Sequence, residues 1–150
     1  MARIEYSVPT DLTPERVMAA ATDFSDRRPD IWPNISRRFY KVHELGDGFC
    51  ECTEGSDAVG GIWAREKYEW SGNRIVGTVV ESNVFESGTW ELRADPDGKG
   101  GTVVTVVSNR KPKGKGLLFA PVMAIRGKQI LSGHLRNTLE RLSSEQPAAT

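Results

Sequence analysis

The sequence predicts an α+β domain: one antiparallel sheet covered by a long C-terminal helix, with two short helices after the first strand. Three observations carry this. Arg3 to Val8 alternates strictly, with Ile4, Tyr6 and Val8 on one side and Arg3, Glu5 and Ser7 on the other, the period of a half-buried strand. Between Asn34 and Arg110, strand-like runs are divided by short turn signals, and such short connections imply an antiparallel meander. Towards the C-terminus Leu118, Val122, Met123, Ile130, Leu131, Leu135, Leu139 and Leu142 fall on one helical stripe.

In chain order, the first strand is followed by Thr13-Pro14-Glu15: a capping hydroxyl, a proline at the first helical position and an acid in the first turn. With Val17, Ala20, Ala21 and Phe24 at helical spacing, a short helix is expected from about Thr13 to Phe24. Pro29 and Pro33 prevent Ser25 to Pro33 from being one long helix and leave a turn or a second short helix. Strands are expected over Ile35 to Leu45, Phe49 to Glu54, Ile62 to Trp70, Arg74 to Asn83, Ser87 to Ala94 and Thr102 to Asn109. Arg110 to Gly116, RKPKGKG, reads as a basic turn, and Pro121 places the start of the regular helix near Ala120, where a proline loses no hydrogen bond. Residues 1–143 are expected to form a single domain and 144–150 a flexible tail.

The 150 residues, 38% hydrophobic and 27% charged, suffice for one core without metal or disulfides. Twenty basic against twenty acidic residues argue against a nucleic-acid protein whose whole surface is basic, though not against a local patch. No basic region leads into a long apolar run at the N-terminus and nowhere do 18 apolar residues follow one another, so the expectation is a cytoplasmic protein without stable membrane insertion. Cys50 and Cys52 share one face of a strand and are expected to be free thiols, which fits a reducing compartment. The sequon Asn34-Ile35-Ser36 matters only in a secreted chain.

The strings YSVPTDLTPERVMAAATDF, YEWSGNRIVGTVVES, GTWELRADPDGKGGTVVTVVSNRKPKGKG and LSGHLRNTLERL, in this order and across nearly the whole chain, resemble the helix-grip superfamily of START and Bet v 1-like proteins, more narrowly its polyketide cyclase/dehydrase-like branch. The superfamily has no shared catalytic signature, so the resemblance speaks to fold rather than to chemistry. It implies a curved sheet wrapped around the long helix, with an apolar cavity between them that opens near the short helices and the hairpin loops. Followed inward, the alternation turns Tyr68, Val79, Trp90, Leu92 and Val106 towards a helix that offers Met123, Ile130 and Leu131, while Trp32 lies where the family's entrance segment would be. Gly127, Ser132 and Gly133 leave room on the helix, and a helical glycine costs about 1 kcal/mol relative to alanine, which asks for a packing or ligand reason. A filled core is the alternative account of the same aromatic residues.

Glu66 is the candidate catalytic residue. It shares parity with Ile62, Ala64, Tyr68 and Trp70, and a carboxylate facing an apolar cavity is a general acid or base, or a polar anchor. A bulge that returns it to solvent, or an arginine that pairs with it, is the alternative. Tyr68 offers a hydroxyl to a ligand carbonyl, or is a core tyrosine. His43 with Cys50 and Cys52 falls short of the four ligands of a zinc site, and His134 lies on the distant helix, so neither metal nor cofactor is expected. RKPKGKG lacks P-loop spacing; it is a solvated basic turn or a contact for an acidic headgroup, an anionic membrane surface or a partner, through Lys111, Lys113 and Lys115. The leading expectation is a binder of one small hydrophobic molecule, lipid- or polyketide-like. A cyclase/dehydratase-type enzyme using Glu66, and a partner- or membrane-interacting module, are the alternatives. The sequence sets no oligomeric state.

Overall fold

A computed structural model describes residues 2–145. Strand β1 (Ala2–Thr10) leads to α1 (Pro14–Ala21) and the single turn α2 (Arg28–Ile31). The meander follows: β2 (Lys41–Gly46), β3 (Phe49–Ser56), β4 (Ile62–Ser71), β5 (Arg74–Ser82), β6 (Phe85–Pro96) and β7 (Thr102–Pro112), with a short 3₁₀ turn at Ala58–Gly60. Helix α3 (Gly116–Ser144) closes the fold. All seven strands form one antiparallel sheet in the order β1-β7-β6-β5-β4-β3-β2.

Local chemistry sets the helix starts. Thr13 Oγ1 accepts from the Arg16 amide at 3.3 Å, Pro14 occupies the first turn and Glu15 adds a favourable charge there, so α1 begins where the sequence places it. It ends at Ala21, three residues short of Phe24, where Thr22 donates its hydroxyl back to the Met18 carbonyl at 2.7 Å.

Three boundaries differ from expectation, each for a local reason. Residues 35–40 turn instead of extending: Ser36 Oγ is held by Asp57 at 2.9 Å and accepts from the Arg38 amide at 3.3 Å, and β2 begins only at Lys41. Strand β7 runs on through Arg110 and Lys111 to Pro112, because these residues pair with Gly88, Ser87 and Phe85 of β6; the first three residues of the basic turn are therefore sheet. Helix α3 begins at Gly116, so Pro121 lies inside it. The hydrogen bond that Pro121 cannot donate would have gone to the Leu117 carbonyl, and both residues lie towards solvent, where the missing bond costs least. The expected tail overlaps the end of α3 at Ser144, and 146–150 lie outside the described residues.

The core lies between the sheet, α1 and the C-terminal half of α3, where Val8, Leu12, Val17, Ile75, Leu92, Val104, Val106 and Leu139 are almost wholly buried. Helix α3 packs chiefly along β1. Gly127 is the point of closest approach, since a Cβ there would stand 2.9 Å from Ile4 Cδ1; its missing side chain serves helix–strand contact. Leu139→Ala is expected to cost about 2–5 kcal/mol in denaturant unfolding, and a loss below about 1 kcal/mol would place α3 outside the cooperative core.

Candidate functional site

The strand registers lay the inner face of the sheet out in rows. Ala94, Val104 and Val8 form one apolar row, and Trp70, Ile75, Leu92, Val106 and Tyr6 form the next. A third crosses from Cys50 through Tyr68, Gly77, Trp90 and Ser108 to Ile4. Beyond it stand Cys52, Glu66 and Val79 on one side and Gly88 and Arg110 on the other. Leu92, Ala94 and Val104 are fully buried, whereas Val79, Trp90, Ser108 and Arg110 are half-buried. Cys52 and Glu66 are buried as well, so the polar end is half-buried only around Val79, Trp90, Ser108 and Arg110.

Two glycines shape this surface. A Cβ on Gly77 would stand 2.7 Å from the Tyr68 ring, so the ring lies over the bare backbone of β5. Gly88, at φ +132, makes room for the backbone of β7: a Cβ there would stand 2.4 Å from the Asn109 carbonyl oxygen and 2.5 Å from the Arg110 Cα. Over these gaps runs a continuous polar chain. Arg28 donates its Nε to Glu54 Oε2, Glu54 Oε1 lies 2.5 Å from the Tyr68 hydroxyl, that hydroxyl lies 3.0 Å from Glu66 Oε2, and Glu66 Oε1 accepts from Arg110 Nη2 at 2.5 Å. Tyr68 carries one hydroxyl proton and so donates to one carboxylate at a time.

The two ends of the chain differ. Arg28, with its side chain 5% exposed, also donates Nη1 to the carbonyls of Ala21 at 3.0 Å and Asp23 at 3.1 Å, and its guanidinium lies 4.1 Å from the Phe24 ring centroid. Phe24 in turn stacks on Trp70, and Tyr68 meets Trp90 edge-on at 6.2 Å. Arg110, with its side chain 18% exposed, makes one charged hydrogen bond, rests 4.9 Å from the Phe85 ring centroid, and has a buried Nε without an acceptor among the described residues. Burial pushes the Tyr6 hydroxyl up to about 12 against the opposing pull of Arg110, and burial, Glu54 and Glu66 push Tyr68 well above the ordinary value.

Glu66 is buried on the inner face, but its two oxygens engage Arg110 and Tyr68 rather than an apolar wall. Tyr68, Val79, Trp90, Leu92 and Val106 share its face; Leu92 and Val106 are sealed in the core. Trp32 is half-buried beside α1, its Nε1 donating to the Ala20 carbonyl at 3.1 Å. On α3, Met123 and Leu131 are half-buried, Gly127 is closed against Ile4, and Ile130 is exposed. His43 contacts Thr53 on the outer face, while the free thiols of Cys50 and Cys52 are buried on the inner one, so the three do not converge. His134 is exposed on α3. The arginine that pairs with Glu66, the alternative raised for it, is Arg110, whereas Arg28 and Glu54 were not anticipated.

The sheet wrapped on one long helix is the helix-grip architecture of START and Bet v 1-like proteins. Similar solved structures include a protein from Thermus thermophilus at 18% identity and TM-score 0.78, covering 97% of this chain and all of that one. A START superfamily protein from Mycobacterium smegmatis follows at 14% identity and TM-score 0.74, covering 93% and 98% of the two chains. The Zhui aromatase/cyclase from Streptomyces sp. R1128 gives 16% identity and TM-score 0.67, covering 95% and 87%. Residues 1–145 match the model of the family described as polyketide cyclase/dehydrase and lipid transport, and the chain belongs to that family. No curated protein matches it.

Arg28→Met leaves Glu54 without its cation and two carbonyls without their donor, and is expected to cost about 3–5 kcal/mol, with most of it recovered in Arg28→Met/Glu54→Leu. Equal losses in the single and double variants would show that the pair is not what is being removed. Unfolded tyrosine ionises near pH 10. From there upward the unfolded chain releases a proton that folded Tyr6 keeps until about pH 12, so stability falls across this window. Tyr6→Phe should flatten that fall in urea titrations at pH 9 to about 12, and an unchanged slope would contradict it.

Proposed function

We propose that this protein holds one small, mainly hydrophobic molecule of lipid- or polyketide-like kind between the sheet and the C-terminal helix, with an oxygen of that molecule accepting from Arg110. One observation carries the reading: the buried polar chain is saturated at Arg28 and unsaturated at Arg110, and the unsaturated end lies where Trp90, Val79 and Ser108 are half-buried. A buried N–H without a partner costs of the order of 1–3 kcal/mol, which an oxygen-bearing ligand returns on binding. Covering about 300 Å² of apolar ligand surface at ~25 cal/mol per Å² adds roughly 7 kcal/mol before association costs. Family membership supports a container for such molecules. Among the described residues no helix is long and apolar enough to cross a membrane. The proposed location is the cytoplasm, where Cys50 and Cys52 stay reduced.

A second reading, a cyclase/dehydratase-type enzyme, is favoured by the Tyr68 hydroxyl between two carboxylates, an arrangement through which a proton can pass. Here Glu66 moves the proton, and Glu66→Gln abolishes turnover while the molecule is still held.

Binding is tested by titrating a fused-ring phenol and its parent hydrocarbon, read by tryptophan fluorescence. The phenol should bind about tenfold more tightly, one charged hydrogen bond being worth ~1.5–3 kcal/mol, and Arg110→Met should erase that preference. Trp90→Ala should weaken both compounds while the protein stays folded. If neither compound binds below millimolar concentration, the face is a filled core and the proposal fails.

A further inference from the structure

We infer that the N-terminal half of α3, together with the Val59 turn, is a docking surface for an anionic phospholipid bilayer. The chain is electrically neutral as a whole, yet from Gly98 to Leu139 it carries eight of its twenty basic residues and none of its twenty acidic ones. The first half of α3 lies inside this tract. Its Leu117, Leu118, Val122 and Ile125 are between 52% and 83% exposed, although each is large and apolar. Leu118, Val122 and Ile125 are spaced four and three apart and so share one stripe of the helix. Val59 joins them from the 3₁₀ turn: it is 52% exposed, and Lys115 donates its Nζ to the carbonyls of Val59 at 3.3 Å and Gly61 at 3.2 Å, tying the turn to the start of the helix.

The surrounding charge selects the partner. Lys111 is paired with Glu86 at 2.6 Å, but among the described residues Lys113, Lys115, Arg126 and Lys128 pair with no acid. A second copy of this chain fits poorly, because a twofold contact through the stripe would set these cations against themselves. A bilayer bearing negative headgroups suits both parts: apolar side chains enter the boundary with the acyl chains, and the flanking cations stay among the phosphates. Among the described residues no helix spans, so the attachment is peripheral and reversible. The inference stands independently of whether the inner face of the sheet takes a ligand.

The test is sedimentation of the purified protein with vesicles of phosphatidylcholine alone or with about 30% phosphatidylserine. Binding to the anionic vesicles should be at least about tenfold stronger and fall several-fold between about 0.05 and 0.5 M salt, by screening. Leu118→Asp/Ile125→Asp should reduce it more than about tenfold; both sites are exposed, and an unchanged melting temperature confirms that folding is intact. Lys113→Glu/Arg126→Glu should remove the preference for phosphatidylserine. Absence of binding to either vesicle, or binding indifferent to both pairs of substitutions, overturns the inference. So does a dimer in sedimentation velocity that Ile125→Asp dissociates, which would assign the stripe to a second copy.

Discussion

Arg28 leaves a helix of a single turn, crosses the Phe24 ring and delivers its Nε to Glu54 on β3. An isolated turn of that length has no stability of its own, so its position is set by the bonds its residues make. This guanidinium, with the Ser36 amide that donates to the Gly55 carbonyl, ties the segment between α1 and β2 to the sheet, and Glu54 is turned to receive the Tyr68 hydroxyl. Arg141 of α3 donates to the Ile31 carbonyl at the end of the same turn, which binds the last helix to it as well. A buried ion pair rarely improves on apolar packing in net stability. Its contribution here is geometric, since it specifies which side chain lies where on the inner face.

The polar chain and the sealed core share one sheet without mixing. The row of Ala94, Val104 and Val8 needs no polar partners, and Glu66 and Arg110 stand three rows away, while Gly77 leaves room for the Tyr68 ring and Gly88 for the close approach of β7. Formal charges along the chain cancel, two arginines against two glutamates. The proposed binding of a molecule with an apolar body and one oxygen-bearing end rests on this division of the face. Family membership fixes the architecture and leaves the identity of the molecule to the particular residues.

The sheet, its antiparallel meander and the long helix were legible because alternation, turn residues and a 3.6-residue stripe are local signals. The inner face was legible in part. Parity found Glu66 and Tyr68, and the same parity on β3 places Glu54 beside Cys50 and Cys52. Arg110 was hidden by its neighbours: lysine, proline and glycine look like a turn, yet β7 carries its register two residues beyond Arg110. Arg28 leaves no periodic trace, because a buried arginine in a non-repeating turn is defined by partners distant in sequence. Gly127 shows the opposite limit, since an absent side chain signals close approach without saying whether a ligand or, as here, Ile4 fills the space.

The strand order carries a temporal consequence. β1 is made long before its neighbour in the sheet, β7, so that Ala2 must wait to pair with Arg110 and the Thr102 hydroxyl closes late on the Leu12 carbonyl. At ~5–20 residues per second, ribosomal synthesis keeps β1 waiting roughly 5–20 s for its partner. During that interval an alternating apolar strand has no ladder to join and offers its amides to any neighbouring chain. Arg3 and Glu5, exposed and paired with each other on the outer face, put charge on the very strand that must wait. Exposure of the nascent chain to unwanted pairing is therefore expected to be greatest between the emergence of β1 and that of β7.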